Sequence, residues 1–104
     1  MDLTDERLAA LLRPLIPENF ADAAIAYLDT RPRVAGERIE LGNRACLMPY
    51  PGYFLFVDLM PAANWGHPAL CVFLSETGAR VQAADAEFPP FFGDLPPHYR
   101  RLLL

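Results

Sequence analysis

Tyr53-Phe54-Leu55-Phe56-Val57-Asp58-Leu59 is the clearest strand in this 104-residue chain. Side chains alternate across a strand, so Tyr53, Leu55, Val57 and Leu59 point one way and Phe54, Phe56, Asp58 and Met60 the other. Both faces are largely apolar, as in a central strand covered on two sides. The rest of the chain therefore has to supply cover for two faces, or leave one to a partner.

The flanking segments read as further strands. Ala69 to Leu74 is a second apolar run, and Glu76-Thr77-Gly78 is a tight turn leading into Ala79 to Ala84, which makes that pair a hairpin. Upstream, Pro49-Tyr50-Pro51-Gly52 is turn chemistry, Arg44 to Met48 is a short run, and Glu37 to Leu41 alternates polar and apolar residues. Together they predict an antiparallel meander of about four strands.

Two helices are expected before Pro32. Thr4 can cap the first, Asp5 and Glu6 suit its positive end, and Leu3 can staple onto Leu8. Leu8, Leu11, Leu12, Leu15 and Ile16 then share one face, and Pro14 should end or bend the helix near Arg13. A second helix is expected to start at Pro17-Glu18, with Phe20, Ala24, Tyr27 and Leu28 on one face up to Asp29. The expected fold is α+β: two N-terminal helices on an antiparallel meander, with a Pro/aromatic-rich C-terminal segment. Residues 1–104 form one small domain in this reading, helical over 4–30, sheet over 37–86, and lid or tail over 87–104.

Two short helices can cover only one face of such a sheet. Phe88-Pro89-Pro90-Phe91-Phe92-Gly93 is the intramolecular candidate for the other face, since its prolines rule it out as a central strand. A second copy of the chain or another protein is the alternative cover. The tail from Asp94 to Leu104 is expected to form a helical turn or two that packs on the core or docks on a partner.

Composition narrows the function classes. Hydrophobic residues make up 53% of the chain and charged residues 21%, which fits a folded domain. Thirteen acidic residues against nine basic ones, all arginine, give a formal charge of -4, and the arginines form no stripe. Nucleic-acid binding loses support, because phosphate contacts need a basic footprint. Arg31, Arg33, Arg38 and Arg44, interleaved with Glu37 and Glu40, read as a solvated face, with an anion site as the minority reading. The acidic start and the lack of a long apolar run argue against a secretory signal or a membrane span, so a cytoplasmic protein is expected. Cys46 and Cys71 lie in strand-like runs and read as buried small hydrophobes rather than a disulfide.

The polar and aromatic loop Met60-Pro61-Ala62-Ala63-Asn64-Trp65-Gly66-His67-Pro68 is the leading candidate site. Trp65 can bury a large apolar area while its ring nitrogen keeps a hydrogen bond, Asn64 both donates and accepts, and His67 can change charge near neutral pH. Asn64, Trp65 and His67 are the proposed contacts, with Phe91, Phe92 and the terminal leucines as a second surface. The bland alternative has Trp65 as a core plug and His67 bonded to a loop carbonyl.

Catalytic and metal readings are weaker. Cys71, His67 and Asp58 can be written down as nucleophile, base and orienter, but Cys71 sits inside a strand with no glycine-rich turn to present it. Cys46, His67, Cys71 and His98 lack the paired spacing of a zinc site. No cofactor motif is present in the sequence. The reading that results is a protein-binding module, of the accessory, inhibitor or immunity-type subunit kind. A small cysteine hydrolase and a homo-oligomeric structural protein are its alternatives.

Overall fold

The computed structural model describes residues 4–63, 66–102 and 104. One helix, α1 (Asp5–Leu12), opens the chain. Strands follow as β1 (Ile25–Asp29), β2 (Arg38–Leu41), β3 (Arg44–Leu47), β4 (Gly52–Asp58), β5 (Ala69–Ser75), β6 (Val81–Ala86) and β7 (Tyr99–Leu102). Five of them form an antiparallel sheet in the order β6-β5-β4-β1-β7, and β2 and β3 form a separate two-stranded sheet. The expected pair of helices on a four-stranded meander is therefore wrong on three counts.

The second helix does not form. Glu18–Phe20 make a single 3-10 turn, and Ile25–Asp29 enter the sheet as β1 between β4 and β7. A helix from Glu18 to Asp29 would be only about three turns long, a length marginal in water. As β1 the same residues satisfy their backbone on both sides and bury Ala26 and Leu28. Tertiary pairing overrides the helical spacing here.

The C-terminal tail is likewise a strand. β7 pairs with β1 from Asp29↔Tyr99 to Ala26↔Leu102, and the His98 carbonyl accepts from both the backbone N–H and the hydroxyl of Thr30, each at 2.8 Å. Proline and arginine placement favours helical turns locally, but β1 leaves an open edge that β7 fills. The third correction concerns β2 and β3, which sit outside the main sheet and act as its cover.

α1 matches its local signals. The Thr4 hydroxyl accepts from the Arg7 N–H at 3.2 Å, and Arg13–Leu15, containing Pro14, tighten into a 3-10 turn. The staple expected from Leu3 lies outside the described residues. Leu8, Leu12 and Ile16 pack on the sheet face made by Ala26, Leu28, Leu55, Val57, Leu70, Val72 and Leu102. The opposite face, carrying Phe54, Phe56, Cys71, Phe73 and Tyr99, lies under Ile39 and Leu41 of β2 together with Met48 and Tyr50. The molecule thus has three layers: helix, main sheet, and hairpin with the crossing segment between β6 and β7. Among the described residues no helix is long and apolar enough to cross a membrane.

A buried ion cluster ties the layers at one end. Asp29 is fully buried, and its carboxylate accepts from the Arg31 N–H at 3.0 Å, from the Arg31 guanidinium and from Arg33 Nε at 2.9 Å. Arg33 also pairs with Glu37, and its backbone bridges Gly52 at the start of β4. Arg33 is thus a largely enclosed structural group, in contrast to the solvated arginine face that spacing alone suggests.

Gly52 is fixed by this close approach. A Cβ at that position would lie 1.9 Å from the Leu74 carbonyl oxygen, a backbone atom of the neighbouring strand. A Gly52→Ala variant must push β4 away from β5, at a cost of about 1–3 kcal/mol or more by the usual penalty of overpacking. Urea unfolding should show a lower midpoint, and an unchanged one would mean that β4 starts elsewhere.

Candidate binding surface

The loop between β4 and β5 is tied at its base by one carboxylate. Asp58, the last residue of β4, is placed by the register Asp58↔Ala69 where the chain leaves and re-enters the sheet. Its Oδ1 accepts from the Met60 N–H at 3.0 Å and contacts His67 Nε2 at 2.8 Å. Both side chains are largely enclosed. His67 is therefore a held group on the wall of a site, with the Asp58 carboxylate among its partners. Asn64 and Trp65 lie outside the described residues.

The crossing segment supplies the other wall. Phe88 rests between two glycines: a Cβ at Gly42, in the β2–β3 turn with φ +68°, would lie 2.8 Å from Phe88, and one at Gly66 would lie 3.3 Å from it. The missing side chains make room for the ring, and φ at Gly42 is one that L-residues rarely adopt. Anchored in this way, Phe88 holds the segment over the hairpin turn. Phe92 follows four residues later and is 73% exposed.

Two hollows meet at Phe92. One of about 180 Å³ is lined by Asp58, His67, Glu87, Phe88, Pro89 and Phe92, among others. The second, of about 340 Å³, is lined by Gly42, Asn43, Phe88 and Phe92. His67 and Phe92, both candidates from the sequence, are thus neighbours on one surface. Phe91 is elsewhere. Its ring packs edge-on to Tyr27 with centroids 5.6 Å apart and lies 5.1 Å from Tyr99, so it belongs to the core under the crossing segment. Of the terminal leucines, Leu102 is buried and Leu104 packs on the helical side, while Leu103 lies outside the described residues.

Of the groups considered for catalysis, His67 and Asp58 come together while Cys71 lines another cavity. Cys71 shares a cavity with Cys46, whereas His67 faces the hollow beside Phe92. The neighbouring Cys46 side chain and burial both push the Cys71 thiol up, which disfavours it as the attacking thiolate of a hydrolase. The His98 ring lies tilted against Tyr99, with centroids 4.9 Å apart. Among the described residues no group of three His, Cys, Asp or Glu side chains could hold a metal ion.

Sequence reasoning does not single out Phe88 or the pairing of Cys46 with Cys71 as site features. Nothing local announces either, since each depends on the hairpin folding over the main sheet. No protein-family model, curated protein or solved structure matches this chain.

Proposed function

We propose that the protein works by binding another polypeptide through the surface around Phe92. The exposure of that ring carries the reading: the large apolar faces of the sheet are covered from within, yet this aromatic stands in solvent between two hollows. An exposed ring on an anchored segment, beside concave apolar walls, has the character of an interface hot spot. The Asp58 and His67 pair adds polar groups at the rim. A partner offering an apolar side chain to the hollows fits this surface.

The reason for a partner differs from the one the sequence suggests. An uncovered sheet face would call for one, but the hairpin together with Phe91 covers that face. Phe92 remains as the reason.

A Phe92→Ser variant tests the proposal. Stability should change by no more than about 0.5 kcal/mol, as for surface positions generally. Binding should weaken by about 2 kcal/mol or more, roughly 30-fold. Light scattering across a concentration range, followed by photo-crosslinking capture with both chains as bait, reads the result. A dimer that Phe92→Ser dissociates identifies the partner as a second copy, and a foreign protein captured by the wild type alone identifies a heterologous one. A monomer whose captured proteins are unaltered by the substitution sinks the reading.

A further inference from the structure

Cys46 and Cys71 come from different layers of the fold. Cys46 lies on β3 of the hairpin, opposite Ile39, while Cys71 lies on β5 of the main sheet between Phe56 and Ala84. Both are free thiols, one half-buried and one fully buried, and each shifts the titration of the other. They line one cavity of about 240 Å³, whose apolar wall includes Leu41 and Ala86 and whose polar wall includes Arg44, Asp85 and Glu87. The three charged residues are exposed, so the cavity opens to solvent. A water's share of liquid volume is about 30 Å³, so the space admits several water-sized molecules.

We propose that Cys46 and Cys71 form a redox-active dithiol that a hydroperoxide, entering through this cavity, closes into a disulfide joining hairpin to sheet. Three features support the direction of attack. Cys46 is the more accessible sulfur, it faces the cavity, and its thiol is held below the ordinary value of 9.0, chiefly by the neighbouring Cys71 side chain. A thiolate so stabilised is the reactive form. Cys71, which lines the same cavity from the main sheet, is the resolving partner.

The chemistry balances with the peroxide as oxidant. The Cys46 thiolate attacks one peroxide oxygen, the O–O bond breaks, and the departing hydroxide takes a proton to leave as water, giving a sulfenic acid on Cys46. The Cys71 sulfur then attacks the Cys46 sulfur, its proton going to the displaced hydroxide. The S–S bond forms and a second water leaves. Two thiols have given two electrons, and one hydrogen peroxide has become two waters.

The test uses the folded, fully reduced chain. One equivalent of hydrogen peroxide is added, remaining thiols are blocked with N-ethylmaleimide, and the protein is analysed by intact mass and peptide mapping. The expected result is joint loss of both alkylatable thiols, a mass lower by two hydrogens, and a peptide linking Cys46 to Cys71 that dithiothreitol releases. Cys71→Ser should stop at a dimedone-reactive sulfenic acid on Cys46, and Cys46→Ser should leave Cys71 unmodified. The proposal is overturned by an unbridged Cys46 carrying two or more oxygens, by a bridge between two chains, or by thiols that react only after unfolding. The wild-type peptide map alone distinguishes these outcomes, even where a serine variant fails to fold.

Discussion

Asp29→Ala should lose about 3–5 kcal/mol of folding stability, the usual consequence of removing one member of a buried ion pair. The aspartate is fully enclosed, and the Arg33 side chain facing it is 11% exposed. Deletion leaves a guanidinium with Glu37 as its remaining acidic neighbour, in a site built to neutralise it from two sides. The loss should also reach β1, because Asp29 is its last residue and pairs with Tyr99 of β7. Urea unfolding at neutral pH measures the effect, and a loss under about 1 kcal/mol would mean that water reaches Arg33 freely.

The same carboxylate predicts a pH dependence. Burial works to raise its pKa, but hydrogen bonds from Arg31 and Arg33 outweigh burial, so the folded value lies below the ordinary 3.8. A carboxylate with a depressed folded pKa contributes stability above its unfolded value and loses it as pH falls through the folded one. Glu37, lowered chiefly by its hydrogen bond from Arg33, acts in the same direction. Wild-type stability should therefore decline on acidification below 3.8, and the Asp29→Ala curve should be flatter there.

The second large effect is expected at Phe54. This side chain is fully buried between β4 and the hairpin, with its ring centroid 6.0 Å from that of Phe73. Phe54→Ala removes an aromatic from a packed layer, at about 3–5 kcal/mol. The cavity opens on the hairpin side, away from α1, since Phe54 belongs with Ile39, Leu41 and Met48. Hydrogen exchange should then rise more in β2 and β3 than in α1. Equal protection in both regions would show that the layers melt as one.

Sequence signals are legible where the structural decision is local. Thr4, Asp5 and Glu6 announce α1 because a cap and a dipole act within one turn. The alternation from Arg38 to Leu41 shows a strand with one buried face, but alternation cannot tell what that face is buried against. Ile39 and Leu41 pack on the main sheet from outside it, and this placement has no local signature. Phe20, Ala24, Tyr27 and Leu28 fit a helix by spacing, and only the vacant place between β4 and β7 makes β1 a strand. Phe91 and Phe92 are chemically identical neighbours, yet one turns inward to Tyr27 and Tyr99 and the other stands in solvent. The direction each ring takes follows from the path of the crossing segment, which Phe88 fixes on the glycines.

That path has a kinetic consequence. β4, β5 and β6 join through short connections and can assemble quickly, whereas Ala26 must find Leu102 more than seventy residues along the chain. Loop closure over such a span is slow, and the final pairing waits for the segment to swing from one edge of the sheet to the other. Until it arrives, β1 is an open edge flanked by apolar side chains, the kind of surface on which two refolding chains associate. Refolding yield should therefore be governed by the race between the arrival of β7 and the collision of two unfinished sheets.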